Sequence, residues 1–349
     1  MRSSGYWRIL WRCGLLAAPL ALLGVVYLAL DPFKVLRAYD DYYPGPVGVF
    51  PNRDWVSARL LLAKPPAERP DAFIFGNSRS MAFETADWLP HLRRPKAAGG
   101  HGPIRPYHFD ASLESLYGIW TKVLYLHRHG FDLRHVLMVV DADLLRQAEH
   151  GDQRALFRKA PDIDGSSALA FQLAFFEAFL SRGFFFKYCD FVWSGRRRAY
   201  MAGVIETRSL AHDAQTNDLS FRPLEDEISA AGEEYYRSRA EVFTAVIPDA
   251  GTPTAPVIGP AQARQLRELK AIFDEQGTDV RIVVSPLYDR RALAPADREM
   301  LEKTFGQHTV LDYSGPNDVT TDRHNYYEAS HYRVSVARSI LNQAYAAER

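Results

Sequence analysis

Two short segments far apart in the sequence carry side chains that could act together in acyl transfer. The first, Phe73–Ser80, reads FIFGNSRS, in which a short apolar run typical of a buried strand enters a Gly-Asn turn that presents Ser78. The second, Asn325–Tyr332, reads NYYEASHY and places Glu328 three residues before His331. Nucleophilic catalysis by serine requires a hydroxyl, an imidazole base and a carboxylate that orients the imidazole. We therefore predict that Ser78 is the nucleophile, His331 its general base and Glu328 the orienting carboxylate.

These residues also have an ordinary structural interpretation. A Gly-x-Ser turn after a strand is a common connection, Ser78 could be a helix N-cap, and His331 could be a histidine with satisfied hydrogen bonds. What favours catalysis is the combination of the serine turn with a Glu-x-x-His pair near the C-terminus. If Glu328 does not reach the imidazole, Asp322 is the nearest substitute carboxylate in the same loop.

Apolar runs separated by helical patterns predict the elements that would position these side chains. Strands that alternate with helices favour an α/β fold with a doubly wound parallel sheet, and ligands of such sheets bind beyond the carboxyl ends of the strands. Ser78 follows the first predicted strand, at that edge. The predicted strands are Ala72–Phe75, Tyr107–Ala111, His135–Val140, Val280–Val284 and, more weakly, Thr309–Asp312, and the predicted helices are Leu113–His129, Ala261–Gln276 and Val334–Ala346.

An uncharged stretch near the N-terminus, Cys13–Leu30, is just long enough to cross a hydrocarbon core of roughly 30 Å as a helix. The arginines before it slightly favour a cytoplasmic N-terminus and an exported body. We predict an uncleaved anchor. A cleaved secretory signal is the alternative, although Tyr27–Ala29 fits a cleavage site poorly. The predicted organisation is a cytoplasmic segment 1–12, a transmembrane anchor 13–30, a juxtamembrane connector 31–69 and an α/β domain 70–349.

Charge and cysteine content exclude several other functional classes. Lys plus Arg equals Asp plus Glu at 42 each, so no overall field would hold nucleic acid or favour acidic substrates. Cys13 lies in the apolar stretch and Cys189 is alone in the body, which excludes an intramolecular disulfide and leaves no cysteine cluster for zinc. We expect no cofactor, no metal and no nucleic-acid partner.

Residues from about 145 to 255 interrupt the strand–helix alternation and predict a helical insertion. The insertion contains two stretches rich in aromatic residues, Leu169–Leu180 and Phe184–Trp193. They could form a membrane-dipping or lipid-binding element, but we favour a pair of core helices because charged residues interrupt any longer apolar run. These charged residues are Glu177, Arg182, Lys187 and Asp190. The following Arg196–Arg198 reads as a solvated surface, with weak binding of lipid headgroups or an anionic glycan as the alternative.

The serine and histidine motifs resemble those of the SGNH (GDSL-like) hydrolase superfamily, in which the serine opens the domain and an Asp-x-x-His pair closes it. The resemblance covers most of the predicted exported domain. It is greatest to membrane-anchored SGNH-like proteins of bacterial envelope glycan O-acetylation and teichoic-acid D-alanylation. These often have a Gly-x-Ser-Arg motif, as in Gly76–Arg79, and a C-terminal signature similar to Tyr327–Tyr332. Asp31–Phe33, an Asp-Pro-Phe sequence after the apolar stretch, also resembles that group.

The resemblance implies an SGNH/flavodoxin-like three-layer sandwich and a pocket around the nucleophile. The pocket or oxyanion residues would be Asn77, Arg79, Ser112 and Asp141. The chain departs from the family in having Glu328 where Asp is usual. In addition, Phe109–Ser115 has no glycine to supply an oxyanion N–H, so Ser112 or a neighbour would have to supply it.

The third departure is at the end of the predicted strand His135–Val140. Where the family has Gly-x-Asn-Asp, with the Asn side chain donating to the oxyanion, this chain has Asp141–Asp143. A carboxylate that faces an oxyanion repels it unless the carboxylate is protonated. Losing one such donor costs on the order of 100- to 1000-fold in rate.

Two functional classes follow from the resemblance and stay open at this point. One is an extracytoplasmic acyl esterase or O-acyltransferase that acts on a cell-envelope polysaccharide through Ser78. The other is a weakly active or inactive SGNH-like partner that binds glycan or a membrane acyltransferase. Both would be held in the bacterial cytoplasmic membrane by the N-terminal helix as a single-pass anchor, with the domain on the periplasmic side. The expected partners are an acylated polysaccharide or an acyl donor.

Overall fold

A computed structural model describes residues 4–93, 103–149, 151, 154–243 and 250–346. The chain divides into two compact units. Unit 1 comprises Met1–Asn52, Arg154–Leu156 and Ser166–Arg208, and unit 2 comprises Arg53–Gln153, Phe157–Gly165 and Ser209–Arg349. The α-helices are α1 (Ser4–Leu30), α2 (Arg53–Leu62), α3 (Thr85–Trp88), α4 (Leu116–Arg128), α5 (Ala142–Arg146), α6 (Pro161–Asp164), α7 (Ala168–Leu180), α8 (Arg182–Ser194), α9 (Arg222–Ala231), α10 (Glu233–Arg237), α11 (Pro260–Gln276), α12 (Pro295–Phe305) and α13 (Val334–Ala344).

Five parallel strands form the central sheet of unit 2, so the predicted α/β class with a parallel sheet is confirmed. The strands lie in the order β2-β1-β3-β4-β5. Both β1 and β3 are buried along their whole length, as expected for apolar strands covered on both faces. The strands are β1 (Ala72–Gly76), β2 (Pro106–His108), β3 (His135–Val140), β4 (Asp279–Val284) and β5 (Val310–Asp312).

Strand β2 ends earlier than the sequence predicts, at His108 instead of Ala111. The chain nevertheless continues to pair with β1, because the N–H groups of Phe109 and Ala111 donate to the carbonyls of Ile74 and Gly76. The residues after β2 therefore stay beside the carboxyl end of β1. Helix α4 also begins later than predicted, since the Ser115 side chain accepts a hydrogen bond from the Gly118 N–H and caps the helix.

A buried cluster of four charged side chains connects α2 to α4. The Lys122 Nζ atom lies 3.0 Å from Asp54 Oδ2 and 2.5 Å from Glu114 Oε2. Lys159 contacts the same two carboxylates. All four side chains are nearly inaccessible to solvent. Burial alone raises the pKa of Asp54, but Lys122 and Lys159 outweigh it and hold that pKa below its usual value.

We expect Lys122→Met to lower the free energy of unfolding by about 3–5 kcal/mol, because it leaves two buried carboxylates with one ammonium group. Chemical denaturation followed by circular dichroism measures the loss. The matched control is Lys270→Met, since Lys270 forms an i,i+4 ion pair with Asp274 on a helix surface. That change should cost less than about 0.5 kcal/mol. Equal losses in the two variants would contradict a structural role for the buried cluster.

In unit 1, helix α1 ends in the Asp31–Phe33 turn and packs against the helix pair α7 and α8. The Asp31 carboxylate accepts hydrogen bonds from the N–H groups of Val35 and Leu36. The ring of Tyr27 lies 5.3 Å from those of Phe176 and Phe179. Two helices therefore occupy the positions where the sequence predicts a helix pair, and they belong to the same unit as α1.

Among the residues that the structure describes, no single helix is both long and apolar enough to cross a membrane. The described apolar part of α1 is Ala17–Leu30, whereas the side chains of 13–16, within the predicted anchor, lie outside the described set. Helices α7 and α8 have the length and apolar composition of a membrane span only when they are taken together. The two helices are bent by 74° relative to each other. The transmembrane anchor therefore stays a prediction.

Candidate active site

The turn after β1 places Ser78 at the carboxyl edge of the sheet. Ser78 begins a 3₁₀ turn, Ser78–Ala82, whose N-cap is Asn77. The Asn77 side chain accepts a hydrogen bond of 3.0 Å from the Arg79 N–H. Glycine is required at position 76, because a Cβ atom there would lie 2.7 Å from the Cβ of Ser80 and 2.8 Å from the carbonyl oxygen of Val139. The chain thus turns tightly between β3 and the serine.

A two-stranded hairpin, Tyr326–Glu328 with His331–Tyr332, carries the other two predicted catalytic residues. Glu328 and His331 face each other across this hairpin. The Nδ1 atom of His331 is hydrogen-bonded to Glu328 Oε1. The Nε2 atom of His331 lies 2.8 Å from the Oγ atom of Ser78, although 253 residues separate them in the sequence. The structure therefore brings together the three residues that the sequence analysis selected.

The alternative carboxylate, Asp322, does not take part in this arrangement. Its Oδ1 atom is 2.7 Å from Nδ1 of His324, and the Nε2 atom of His324 is bonded to Glu233. Glu328 is consequently the carboxylate that contacts the imidazole of His331.

The electrostatics of Glu328 suit the role of an orienting carboxylate. Burial raises the pKa of Glu328, but the hydrogen bond and charge of His331 outweigh it, so the pKa lies below its usual value. An ionised carboxylate accepts the Nδ1–H of His331. With the proton on Nδ1, the lone pair of Nε2 faces the hydroxyl of Ser78. This tautomer of His331 is the one needed to remove the hydroxyl proton.

Phe221 and helix α9 border the catalytic candidates. The ring of Phe221 lies 5.2 Å from the imidazole of His331. Glu225, on α9, accepts hydrogen bonds from the hydroxyl of Tyr327 at 2.6 Å and from Nε of Arg333 at 3.1 Å. Because Tyr327 and Arg333 flank Glu328 and His331 in the sequence, α9 fixes the hairpin on both sides.

Asp141 is already hydrogen-bonded to four groups, so it is not an isolated carboxylate. Its Oδ2 atom accepts from the Asn77 amide at 2.7 Å and from the Arg79 guanidinium at 2.6 Å. Its Oδ1 atom accepts from the N–H groups of Asp143 and Leu144 at 3.0 Å each, which caps α5. The geometry therefore favours a role for Asp141 in orienting these neighbours over direct repulsion of an oxyanion.

Arg79 and Ser112, the other predicted pocket residues, occupy the same edge of the sheet. Burial lowers the pKa of Arg79, but Asp141 outweighs it and leaves that pKa above its usual value. The guanidinium therefore carries a fixed positive charge one residue after Ser78. Ser112 is half-buried and follows Ala111, whose N–H donates to the carbonyl of Gly76.

We expect Asp141→Asn to lower the free energy of unfolding by about 1–3 kcal/mol and not to raise the rate per folded molecule. The reason is that an amide cannot accept from all four donors, and the guanidinium of Arg79 loses its partner. Denaturation curves and rates normalised to folded protein measure the two effects. Asp143→Asn is the control, because the Asp143 side chain is exposed. A higher rate in Asp141→Asn would mean that the carboxylate opposes the oxyanion after all.

A second chain of Ser, His and Asp side chains, which the sequence analysis missed, lies beneath the first. The Oγ atom of Ser80 is 2.8 Å from Nε2 of His108, and Nδ1 of His108 is 3.1 Å from Oδ1 of Asp218. The Ser80 hydroxyl also lies 2.8 Å from the carbonyl oxygen of Asn77. Asp218 is itself fixed by the N–H and hydroxyl of Thr85. Nothing in the sequence spacing indicates Asp218, which lies in an irregular polar stretch.

The two hydrogen-bonded sets, Ser78–His331–Glu328 and Ser80–His108–Asp218, differ in how far they are buried. Ser80 and His108 are completely buried, at 0% exposure, whereas 23% of the His331 side chain is accessible. Ser78 is partly exposed and can be reached from solvent, whereas Ser80 cannot. The buried chain connects Asp218 to the carbonyl of Asn77, so its effect is to hold the turn that presents Ser78.

A cavity of about 610 Å³ adjoins this region. Ser220 and Arg222, on either side of Phe221, line it together with Glu84, Thr85 and Asp218.

Within the described part of the chain, no group of three or more His, Cys, Asp or Glu residues could hold a metal ion. Comparison of the chain with protein-family models, with curated proteins and with solved structures gives no match.

Proposed function

We propose that the protein is a membrane-anchored, extracytoplasmic acyl esterase or O-acyltransferase that acts on a cell-envelope polysaccharide through Ser78, His331 and Glu328. The observation that carries the proposal is the continuous hydrogen-bonded chain from the hydroxyl of Ser78 through His331 to Glu328. Each of the three groups has the position and the polarity that its role in acyl transfer requires.

The proposed fold is a doubly wound, SGNH-like three-layer sandwich preceded by a transmembrane helix. The strand order β2-β1-β3-β4-β5 supports it, because flavodoxin-like doubly wound sheets have the order 2-1-3-4-5. Their ligands bind where the strand order reverses, at the carboxyl ends of the first and third strands. Ser78 follows β1 and Asp141 follows β3, so both lie at that point.

In the first half-reaction, the Oγ atom of Ser78 attacks the carbonyl carbon of an acyl ester while Nε2 of His331 takes the hydroxyl proton. The tetrahedral oxyanion needs donors that are already oriented. Ser78 begins its 3₁₀ turn, so its backbone N–H has no acceptor within that turn and is a suitable donor. Backbone N–H groups near Ser112 and the guanidinium of Arg79 are further candidates.

The intermediate then collapses, and the bond between the acyl carbon and the departing alcohol oxygen breaks. That oxygen takes the proton from Nε2 of His331, and the acyl group stays on Ser78. In the second half-reaction His331 removes a proton from water or from a sugar hydroxyl, whose oxygen attacks the acyl carbon. The bond between that carbon and Oγ of Ser78 then breaks, and Oγ takes back the proton from Nε2 of His331. Water gives hydrolysis, and a sugar hydroxyl gives acyl transfer to the glycan.

Two features support an envelope glycan as substrate. The apolar helix α1 would hold the protein at the membrane surface where envelope glycans are exported. The cavity near Phe221 has carboxylate, hydroxyl and guanidinium groups in its lining, and such groups suit the hydrogen-bonding pattern of a polyhydroxyl substrate.

The direct test is release of acetate from p-nitrophenyl acetate and from O-acetylated polysaccharide by the full-length protein in detergent. Wild type should release acetate, and Ser78→Ala should not. Ser80→Ala is the matched control, since it removes a buried serine two residues away and should keep measurable activity. Transfer is distinguished from hydrolysis by adding unacetylated polysaccharide as acceptor.

One observation favours a second function, that of a binding partner with little or no catalysis. Asp141 stands where an amide donor to the oxyanion is expected, and its carboxylate cannot donate a hydrogen bond. Equal acetate release by wild type and Ser78→Ala, together with binding of either protein to the polysaccharide, would support this function instead.

A further inference from the structure

Helices α7 and α8 of unit 1 expose large apolar side chains along much of their length. Trp193 is 93% exposed, Leu169 70% and Phe186 65%. Leu173 and Val192 are each about half exposed. Side chains of this kind are normally covered in a water-soluble domain, and a group of them usually marks an interaction surface.

The opposite faces of the same helices are also apolar, but they are buried within unit 1. The buried residues include Phe175 and Phe184, whose rings lie 5.2 Å and 4.5 Å from the ring of Phe33. The helices thus carry large apolar side chains both where they pack and where they are exposed. A helix with this composition is typical of a protein core or of a membrane environment.

The dimensions of the pair exclude a straight membrane span. Each helix has 13 residues, which corresponds to about 20 Å, less than the roughly 30 Å of a hydrocarbon core. The pair is bent by 74° at Ser181, between the two helices. Such a bent pair can enter one leaflet and return to the same surface, but it cannot cross as one helix.

The charged and aromatic residues at the ends of α8 suit a phospholipid surface. Arg182 begins the helix, Trp193 lies near its end, and Arg196 follows in the next turn, all three exposed. Arginine side chains bind lipid phosphates, and tryptophan is enriched at the level of the headgroups. This combination is more specific to a bilayer than to the apolar core of a protein–protein interface, from which charge is depleted.

The exposed apolar surface also continues onto α1, which packs against α7. In α1 the side chains of Leu22, Val25 and Leu28 are each more than half exposed. We propose that the exposed faces of α7 and α8 insert into one leaflet of a phospholipid bilayer beside α1, with Arg182 and Arg196 at the headgroups. Unit 1 is then a three-helix membrane unit, and α1 is not the sole point of attachment.

Site-directed spin labelling of the full-length protein tests this proposal. In a Cys13→Ser, Cys189→Ser background, single cysteines replace Leu173 and Phe186, which are exposed in α7 and α8. The control replaces Glu234, an exposed residue of unit 2. Each labelled protein is reconstituted into vesicles of phosphatidylethanolamine and phosphatidylglycerol. Relaxation of the nitroxide by oxygen, which concentrates in lipid, is compared with relaxation by a water-soluble nickel chelate.

The proposal requires Leu173→Cys and Phe186→Cys labels to gain oxygen collisions and to lose nickel collisions, with the reverse at Glu234→Cys. Nickel accessibility at Leu173 and Phe186 equal to that at Glu234 would overturn the proposal, because these faces would then be in water. Shielding of both labels from oxygen and nickel alike would also overturn it, since a protein partner or a second copy would then cover them. The readout does not depend on acyl chemistry.

Discussion

Ser78→Ala and His331→Ala should each reduce acyl transfer by on the order of 10⁴- to 10⁶-fold, and the double variant should be hardly worse than either. The reason is that the hydroxyl and the imidazole act as one unit: without His331 the serine is not deprotonated, and without Ser78 the imidazole has no nucleophile to activate. Steady-state kcat and KM on an acetyl ester, for the two single variants and the double variant, measure this non-additivity.

The control for the histidine change is His324→Ala. His324 lies in the same loop but is bonded to Asp322 and Glu233, away from Ser78. That variant should keep the wild-type rate within a small factor. Losses in Ser78→Ala and His331→Ala that simply multiply in the double variant would show that the two residues act independently, contrary to the proposed mechanism.

Glu328→Gln should reduce kcat by on the order of 10²- to 10⁴-fold with little change in KM. The amide keeps the size of the side chain but removes the charge that stabilises the imidazolium. Its N–H can also donate to Nδ1 of His331, which would leave the proton on Nε2, the nitrogen that has to accept from Ser78. Both effects weaken the base without removing it, so the loss should be smaller than in His331→Ala.

Asp322→Asn provides the matched control for Glu328→Gln. Asp322 is the other carboxylate of the loop, but it is bonded to His324 and not to His331. Its replacement should leave kcat unchanged. If Asp322→Asn were as damaging as Glu328→Gln, the carboxylate that orients His331 would have been assigned wrongly.

The central sheet and the three catalytic candidates could be predicted because their signals are local. Strands buried on both faces appear as short apolar runs, and β3, for example, has the predicted bounds. The motif around Ser78 and the Glu-x-x-His spacing each lie within a few residues. The rule that ligands bind at the carboxyl ends of parallel strands then predicts where the serine lies.

The remaining features depend on contacts between distant segments, which no local pattern shows. The role of Asp141 could not be decided from sequence, because its hydrogen-bond partners Asn77 and Arg79 come from another strand end. Asp218 and His108 gave no signal for the same reason. The burial of α7 and α8 could not be predicted either: charged residues within and between them suggested core helices, whereas only one face of each is covered in the described structure.

Covalent labelling of the full-length protein by a fluorophosphonate, followed by peptide mass mapping, tests directly whether Ser78 is an activated nucleophile. The probe reacts with a serine only when a neighbouring base has activated it. We expect one adduct, on Ser78, which is lost in Ser78→Ala and in His331→Ala and is retained in Ser80→Ala. No adduct in folded wild-type protein, or an adduct on Ser80 instead, would contradict it.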